Sequence, residues 1–153
     1  MKKLMLLLAS LLLTVVTVSA KNQVEKIEVS GLPEKAQQYI NEHFADLAVK
    51  KILCETDERG VKEYKVYFKN KLFVDFDMVG AWSEINATKI KKSIVITDKM
   101  MPAKVRAALN TDFINKPIVK VENDGFEYEF EFADKTEAEI NSLGMVTDSD
   151  SKK

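Results

Sequence analysis

From Tyr64 to Lys69 apolar and polar positions alternate: Tyr64, Val66 and Phe68 point one way, and Lys65, Tyr67 and Lys69 the other. The alternation resumes at Leu72, with Val74, Phe76 and Met78 as the apolar set. Two such runs read as the strands of one antiparallel hairpin. Like faces must meet across it, so opposed residue numbers sum to an even value. A three-residue loop, Lys69-Asn70-Lys71, meets that condition. It pairs Phe68 with Leu72, Val66 with Val74, Tyr64 with Phe76, Tyr67 with Phe73 and Lys65 with Asp75. Loops of this length place their third residue in the left-handed region. A lysine there costs about 1 kcal/mol relative to glycine, which predicts strain at Lys71.

The same order of patterns occurs twice. LPEKAQQYINEHF (32–44) aligns without a gap on MPAKVRAALNTDF (101–113), and YKVYFKNKLFVDFDMVG (64–80) on YEFEFADKTEAEINSLG (128–144). Leu32, Ala36, Tyr39, Ile40 and Phe44 share one helical face, as do Met101, Val105, Ala108, Leu109 and Phe113. Pro33 and Pro102 stand where a first helical turn loses nothing by lacking an N–H. Both helices are short and need a sheet to pack against. The expected architecture is α+β: two tandem repeats, each a helix packed on an antiparallel sheet. The first, with its connection KIKKSIV (89–95), would span 21–100 and the second 101–146, with the polar stretch 147–153 disordered.

The chain opens MKKLMLLLASLLLTVVTVSA: two lysines, an apolar run from Leu4 to Val16, then Val18 and Ala20 as the small residues of a cleavage site. That is the pattern of a secretory signal peptide, residues 1–20, cleaved after Ala20. The expectation is a periplasmic or secreted protein with no membrane span once the leader is gone. Without Lys2 and Lys3 the chain carries 21 basic and 24 acidic residues, a balance that does not suggest nucleic acid. Cys54 is the single cysteine, so no disulfide forms within the chain, and the run Ile52-Leu53-Cys54 reads as packed core.

The candidate chemistry gathers in VDFDMVGAWSEI (74–85). Asp75 and Asp77 lie one residue apart on an outward strand face with Phe73. A metal would need several oxygen ligands converging on one point, and two carboxylates roughly 7 Å apart along a flat strand do not converge. An acid/base pair would need one carboxyl buried, whereas alternation places both in water. His43, the single histidine, corresponds to Asp112 in the second copy, which favours a polar helix end over a catalytic base. GxSxG, HExxH, CxxC and phosphate-loop patterns are absent. The reading is therefore a non-catalytic protein with neither cofactor nor metal. Tyr67, Phe73 and Trp82 would be aromatic anchors, and Lys65, Asp75 and Asp77 would set orientation. Whether Trp82 faces out or in turns on the bend at Gly80, which spacing alone leaves open. The second copy instead presents Glu127, Glu129, Glu131, Glu137 and Glu139 outward, with Glu131 opposing Glu137 and Glu129 opposing Glu139. Three readings fit that face: plain solvation, docking of a basic partner, or weak collection of calcium.

The sequence LP…A…YI…F, followed by Y.V.F.N and VDFD..GAW..I, resembles the exported PepSY-like proteins of Bacteroides and relatives, described as similar to beta-lactamase inhibitor protein. The resemblance implies tandem α/β units and a periplasmic or surface location, and it implies no established activity. Enzyme inhibition follows only from likeness of fold, which does not determine function. Two departures stand out. The hairpins lack the glycine that such loops commonly carry, having Asn70-Lys71 and Asp134-Lys135 instead. The second copy also has Glu139, Ile140, Asn141 and Val146 where the first has Asp75, Phe76, Asp77 and Trp82. The function expected is binding of an unidentified envelope or extracellular protein through the sheet surface. The alternative is a small-ligand or cation-responsive envelope sensor.

Overall fold

The computed structural model describes residues 22–60, 62–90, 93–97 and 99–149. The signal peptide expected at 1–20 lies outside the described residues, as do positions 150–153. In chain order come β1 (Gln23–Ile27), a 3-10 turn (Val29–Gly31), α1 (Glu34–His43), β2 (Val49–Thr56), β3 (Lys62–Phe68), β4 (Phe73–Phe76) and β5 (Trp82–Asn86). Then follow α2 (Ala103–Asp112), β6 (Ile118–Asn123), β7 (Glu127–Phe132), β8 (Glu137–Asn141) and β9 (Val146–Asp148). The strands form one antiparallel sheet of nine, ordered β1 to β9 as in the chain. A helix followed by four strands occurs twice, α1 with β2–β5 and α2 with β6–β9.

Both helices begin after a proline in extended conformation, Pro33 and Pro102, and both end where a phenylalanine N–H closes on the last turn. Phe44 donates to the Ile40 carbonyl at 2.8 Å and Phe113 to that of Leu109 at 3.1 Å. The same two phenylalanines seat the helices on the sheet. Phe44 lies 5.4 Å from Phe68, and Phe113 stacks 5.2 Å from Phe132, ring centre to ring centre. Val66, Val74, Phe76, Ile85, Val121, Phe130 and Ile140 complete the buried face, and no polar or charged residue is buried among the described residues. With no disulfide to help, this single apolar cluster carries the fold.

The hairpin register is the one the alternation predicts: Tyr64 opposes Phe76, Lys65 opposes Asp75, Val66 opposes Val74 and Tyr67 opposes Phe73. Lys71 and Lys135 have φ of 75° and 67°, so the strained turn position is occupied by lysine in both hairpins. Bulges fall between Val49 and Lys51 and between Ile118 and Lys120, and again between Asp75 and Phe76 and between Glu139 and Ile140. Each bulge thus has a counterpart at the aligned position of the other half.

The structure corrects three expectations. β4 ends at Phe76, so Met78 leaves the apolar set and stands exposed in the turn. β9 runs through Asp148, into the stretch from 147 expected to be disordered, because β8 offers it a free edge. β1 has no counterpart among the elements the sequence predicts. It is an edge strand of mostly exposed residues and shows no alternation to read.

Candidate functional site

Both helices cover one side of the sheet and leave the other side open. Along that open side the pairing brings together one cross-strand row: Lys65, Asp75, Glu84, Glu122, Glu129, Glu139 and Asp148, each directly opposite the next. Six successive strands contribute a carboxylate. The neighbouring row reads Lys51, Tyr67, Phe73, Asn86, Lys120, Glu131 and Glu137. One half of the face is therefore basic and aromatic and the other acidic, except for Lys120, which pairs with Glu122 and lies 4.0 Å from Glu84.

In the first half Tyr67 and Phe73 touch, with ring centres 5.6 Å apart. Lys51 lies over the Tyr67 ring at 4.5 Å and Lys65 over the Phe73 ring at 5.0 Å. Lys65 also bonds Asp75 Oδ2 at 2.9 Å. Burial alone would lower the Lys65 pKa, but the bond to Asp75 and its charge outweigh that and leave it raised.

Asp75 departs from the expected solvated carboxylate. Its Oδ1 is enclosed with no hydrogen-bond partner, and its pKa is pushed up to about 6. Burial is the main cause, helped by Glu84 and Glu55 and opposed by Lys65. Lys65 and Glu84 stand directly opposite it on the adjoining strands, and its burial is a depth that alternation does not encode. Such a pKa would suit acid/base work. The cavity beside it, lined by Glu55, Glu63, Tyr64, Lys65 and Asp75, measures only about 20 Å³. That is space for about one water molecule and no substrate. The larger cavities, two of about 420 Å³, flank Pro117 and Phe132, away from Asp75.

Two expected site residues do not join this face. Trp82 pairs with Phe76 and shares its inward side. It is 8% exposed and packs 6.2 Å from both Tyr39 and Tyr128, so it belongs to the core and cannot anchor a partner. Asp77 lies beyond the strand, where its Oδ1 accepts from the N–H of Val79 (3.0 Å) and of Ala81 (2.8 Å). Its carboxylate is committed to the turn that ends at Gly80, which has φ +83° and fits against the start of α1. A Cβ on Gly80 would stand 2.9 Å from Ala36 N.

The remaining chemistry-bearing groups are occupied. The His43 ring sits 4.4 Å from Tyr39, and its Nδ1 lies 3.1 Å from Thr97 Oγ1. Burial lowers its pKa despite the nearby Glu42. Cys54 is buried. Among the described residues no three His, Cys, Asp or Glu side chains are placed to hold a metal ion together, and no helix is long and apolar enough to cross a membrane.

The chain is similar to known proteins over most of its length. The family profile described, provisionally, as beta-lactamase-inhibitor-like, PepSY-like matches residues 62–148. A Bacteroides vulgatus protein, provisionally described as periplasmic and from a family of unknown function, is 28% identical with a TM-score of 0.73, over 84% of this chain and 97% of that one. A Bacteroides thetaiotaomicron protein, provisionally described as calcium-regulated and periplasmic, is 29% identical with a TM-score of 0.74, again over 84% and 97%. A second B. vulgatus protein is alike in fold, with a TM-score of 0.72 at 22% identity over 86% of this chain and all of the other. No curated protein matches the chain.

Proposed function

The chain belongs to the PepSY-like family, and from that premise we propose that it is a non-catalytic exported protein that binds another protein through the open face of its sheet. One observation carries the reading: carboxylates from six neighbouring strands stand directly opposite one another on a face that no helix covers. Opposed like charges destabilise a sheet by a few tenths of a kcal/mol per pair. A sequence shaped for folding alone has no reason to repeat them strand after strand.

The binding face centres on Tyr67 and Phe73, with Lys65 and Asp75 beside them and the glutamates extending the surface. Tyr67 and Phe73 are partly exposed and offer rigid contact area. The two helix-and-strand units read as copies of one module, of which the first keeps the aromatic patch and the second carries most of the acid. Binding would act by occlusion or sequestration, and inhibition of an enzyme is its inhibitor-like form.

The test compares the wild type with Tyr67→Ser/Phe73→Ser as immobilised baits for envelope extract, followed by titration of any captured protein in purified form. A partner bound by the wild type and at least tenfold more weakly by the double variant supports the reading. A partner bound equally by both overturns it.

A second reading has its own observation. The acidic row could collect divalent cations, and a relative 29% identical is provisionally described as calcium-regulated. In that case the response would be collective and weak, since the carboxylates lie along a flat sheet.

A further inference from the structure

Two clefts of about 420 Å³ each meet at the end of the sheet where β7 turns into β8. Ser93, Pro117 and Phe132 line both, so the two form one space that bends around that end. One arm lies under the last turns of α2, between Leu109, Phe113 and the connection 93–97. The other runs past Ile90 and Val119 to Lys135. Each arm has the size of a small-molecule site, and such sites are mostly apolar with a few fixed polar groups.

The space has a cause in the topology. In the first half β1 lies in the sheet beside β2. The gapless alignment that matches the two helices sets residues 92–96 against β1. In the second half, however, the corresponding edge of β6 is already taken by β5. Residues 93–97 therefore stand off the sheet instead of joining it. Ile94 N–H donates to the Ile118 carbonyl at 2.7 Å and its side chain is buried, while Ser93 and Val95 remain exposed.

Two observations give the chemistry of the occupant. Lys116 is fixed where the arms meet. Its Nζ lies 5.5 Å from the centre of the Phe132 ring and is held by Thr136 Oγ1 at 2.8 Å and Asp134 Oδ2 at 3.1 Å. Cationic side chains also outnumber acidic ones along the walls: Arg106, Lys116 and Lys135 against Glu131. Asp134 meets part of the Lys116 charge, whereas Lys135 has no ion pair among the described residues. Apolar walls with a cation held at the bend suit a ligand with an apolar body and one negative head.

We propose that this bent cleft binds a carboxylate-bearing amphiphile, with its head between Lys116 and Lys135 and its apolar body in the arm under α2. The cleft touches the open sheet face only at Glu131, and either assignment stands without the other.

The test is calorimetric titration at neutral pH of the protein purified after export, with decanoate and with decanol, which has the same body without the charge. Wild type is expected to bind decanoate, and decanol at least tenfold more weakly, the scale of one hydrogen bond to a charged group. Ser93→Trp, at an exposed position that lines both arms, should abolish binding of either compound. Lys116→Gln/Lys135→Gln should bind decanoate no better than decanol. Tyr67→Ser/Phe73→Ser should bind as wild type, which separates this result from the protein-binding face. Circular dichroism melts confirm that each variant is folded, and Ala133→Trp, exposed on the wall of the second arm, replaces Ser93→Trp should that chain not fold. Wild type that binds neither compound overturns the proposal. So does a folded tryptophan variant that binds decanoate as wild type does, or decanol bound as tightly as decanoate, which would leave the cleft without a head-group site.

Discussion

Asp77 and Asn141 do the same work in the two halves of the sheet. Asp77 Oδ1 accepts from the N–H groups two and four residues on, at 3.0 and 2.8 Å, and Asn141 Oδ1 does so at 3.0 and 3.1 Å. Each closes a turn whose glycine, Gly80 or Gly144, has φ +83° and lies against a helix start. The second aspartate of VDFD is thus a turn-former whose charge is dispensable, which is why the other half can use asparagine.

Asp77→Asn should accordingly leave stability within about 0.5 kcal/mol of wild type, the range of a substitution that keeps its contacts. Asp77→Ala should cost about 1–2 kcal/mol, because two turn N–H groups lose their acceptor. Urea denaturation measures both. Equal losses for the two variants would show that the charge matters after all.

The lysines at the hairpin corners lead to a second expectation. Lys71 and Lys135 hold left-handed conformations that cost a side-chain residue about 1 kcal/mol relative to glycine. Lys71→Gly and Lys135→Gly should each stabilise the fold by roughly 0.5–1 kcal/mol, less whatever the freer unfolded chain gives back. The sites lie in separate hairpins, so the gains should add in the double variant. Thermal melts that show no gain at either corner would mean that the lysine side chains repay the strain.

These two corners show how much of the molecule was legible in the sequence. The hairpin pairing, both helices and the opposed glutamates follow from period and parity, because half-buried strands cannot slip by one residue without turning their apolar face to water. Trp82 was not legible. Its direction depends on a bulge and on a left-handed glycine, and neither leaves a trace in apolar spacing. Asp75 was legible in face but not in depth, since alternation does not register how far a carboxylate on the outward face is buried. β1 and β9 were not legible because edge strands of mostly exposed residues need no alternation.

Asp75 makes stability depend on pH. Its folded pKa of about 6 lies above the ordinary value of 3.8, so between those values the folded chain holds a proton that the unfolded chain has lost. Its contribution is therefore full below about pH 4 and is lost as pH rises through about 6. Asp75→Asn removes that loss. Relative to wild type the variant should gain about 1–2 kcal/mol between pH 4 and pH 7, a figure discounted for partial solvent screening. Paired melts across that range isolate the effect from the other carboxylates. A difference that runs the other way would show that Lys65 governs the site and holds the carboxylate ionised.

The acidic row separates the two functional readings. Glu129 stands between Glu122 and Glu139, so Glu129→Gln removes two like-charge oppositions at once. It should stabilise the chain by a few tenths of a kcal/mol up to about 1 kcal/mol at low ionic strength, and salt should erase the gain by screening it. If the row is a protein-docking surface, millimolar calcium should raise the melting temperature of wild type no more than magnesium at equal ionic strength. If the row collects calcium, that ion alone should stabilise wild type by mass action, and Glu129→Gln should blunt the response. The comparison of ions, rather than the size of either shift, decides the matter, because screening acts on both cations alike and specific coordination does not.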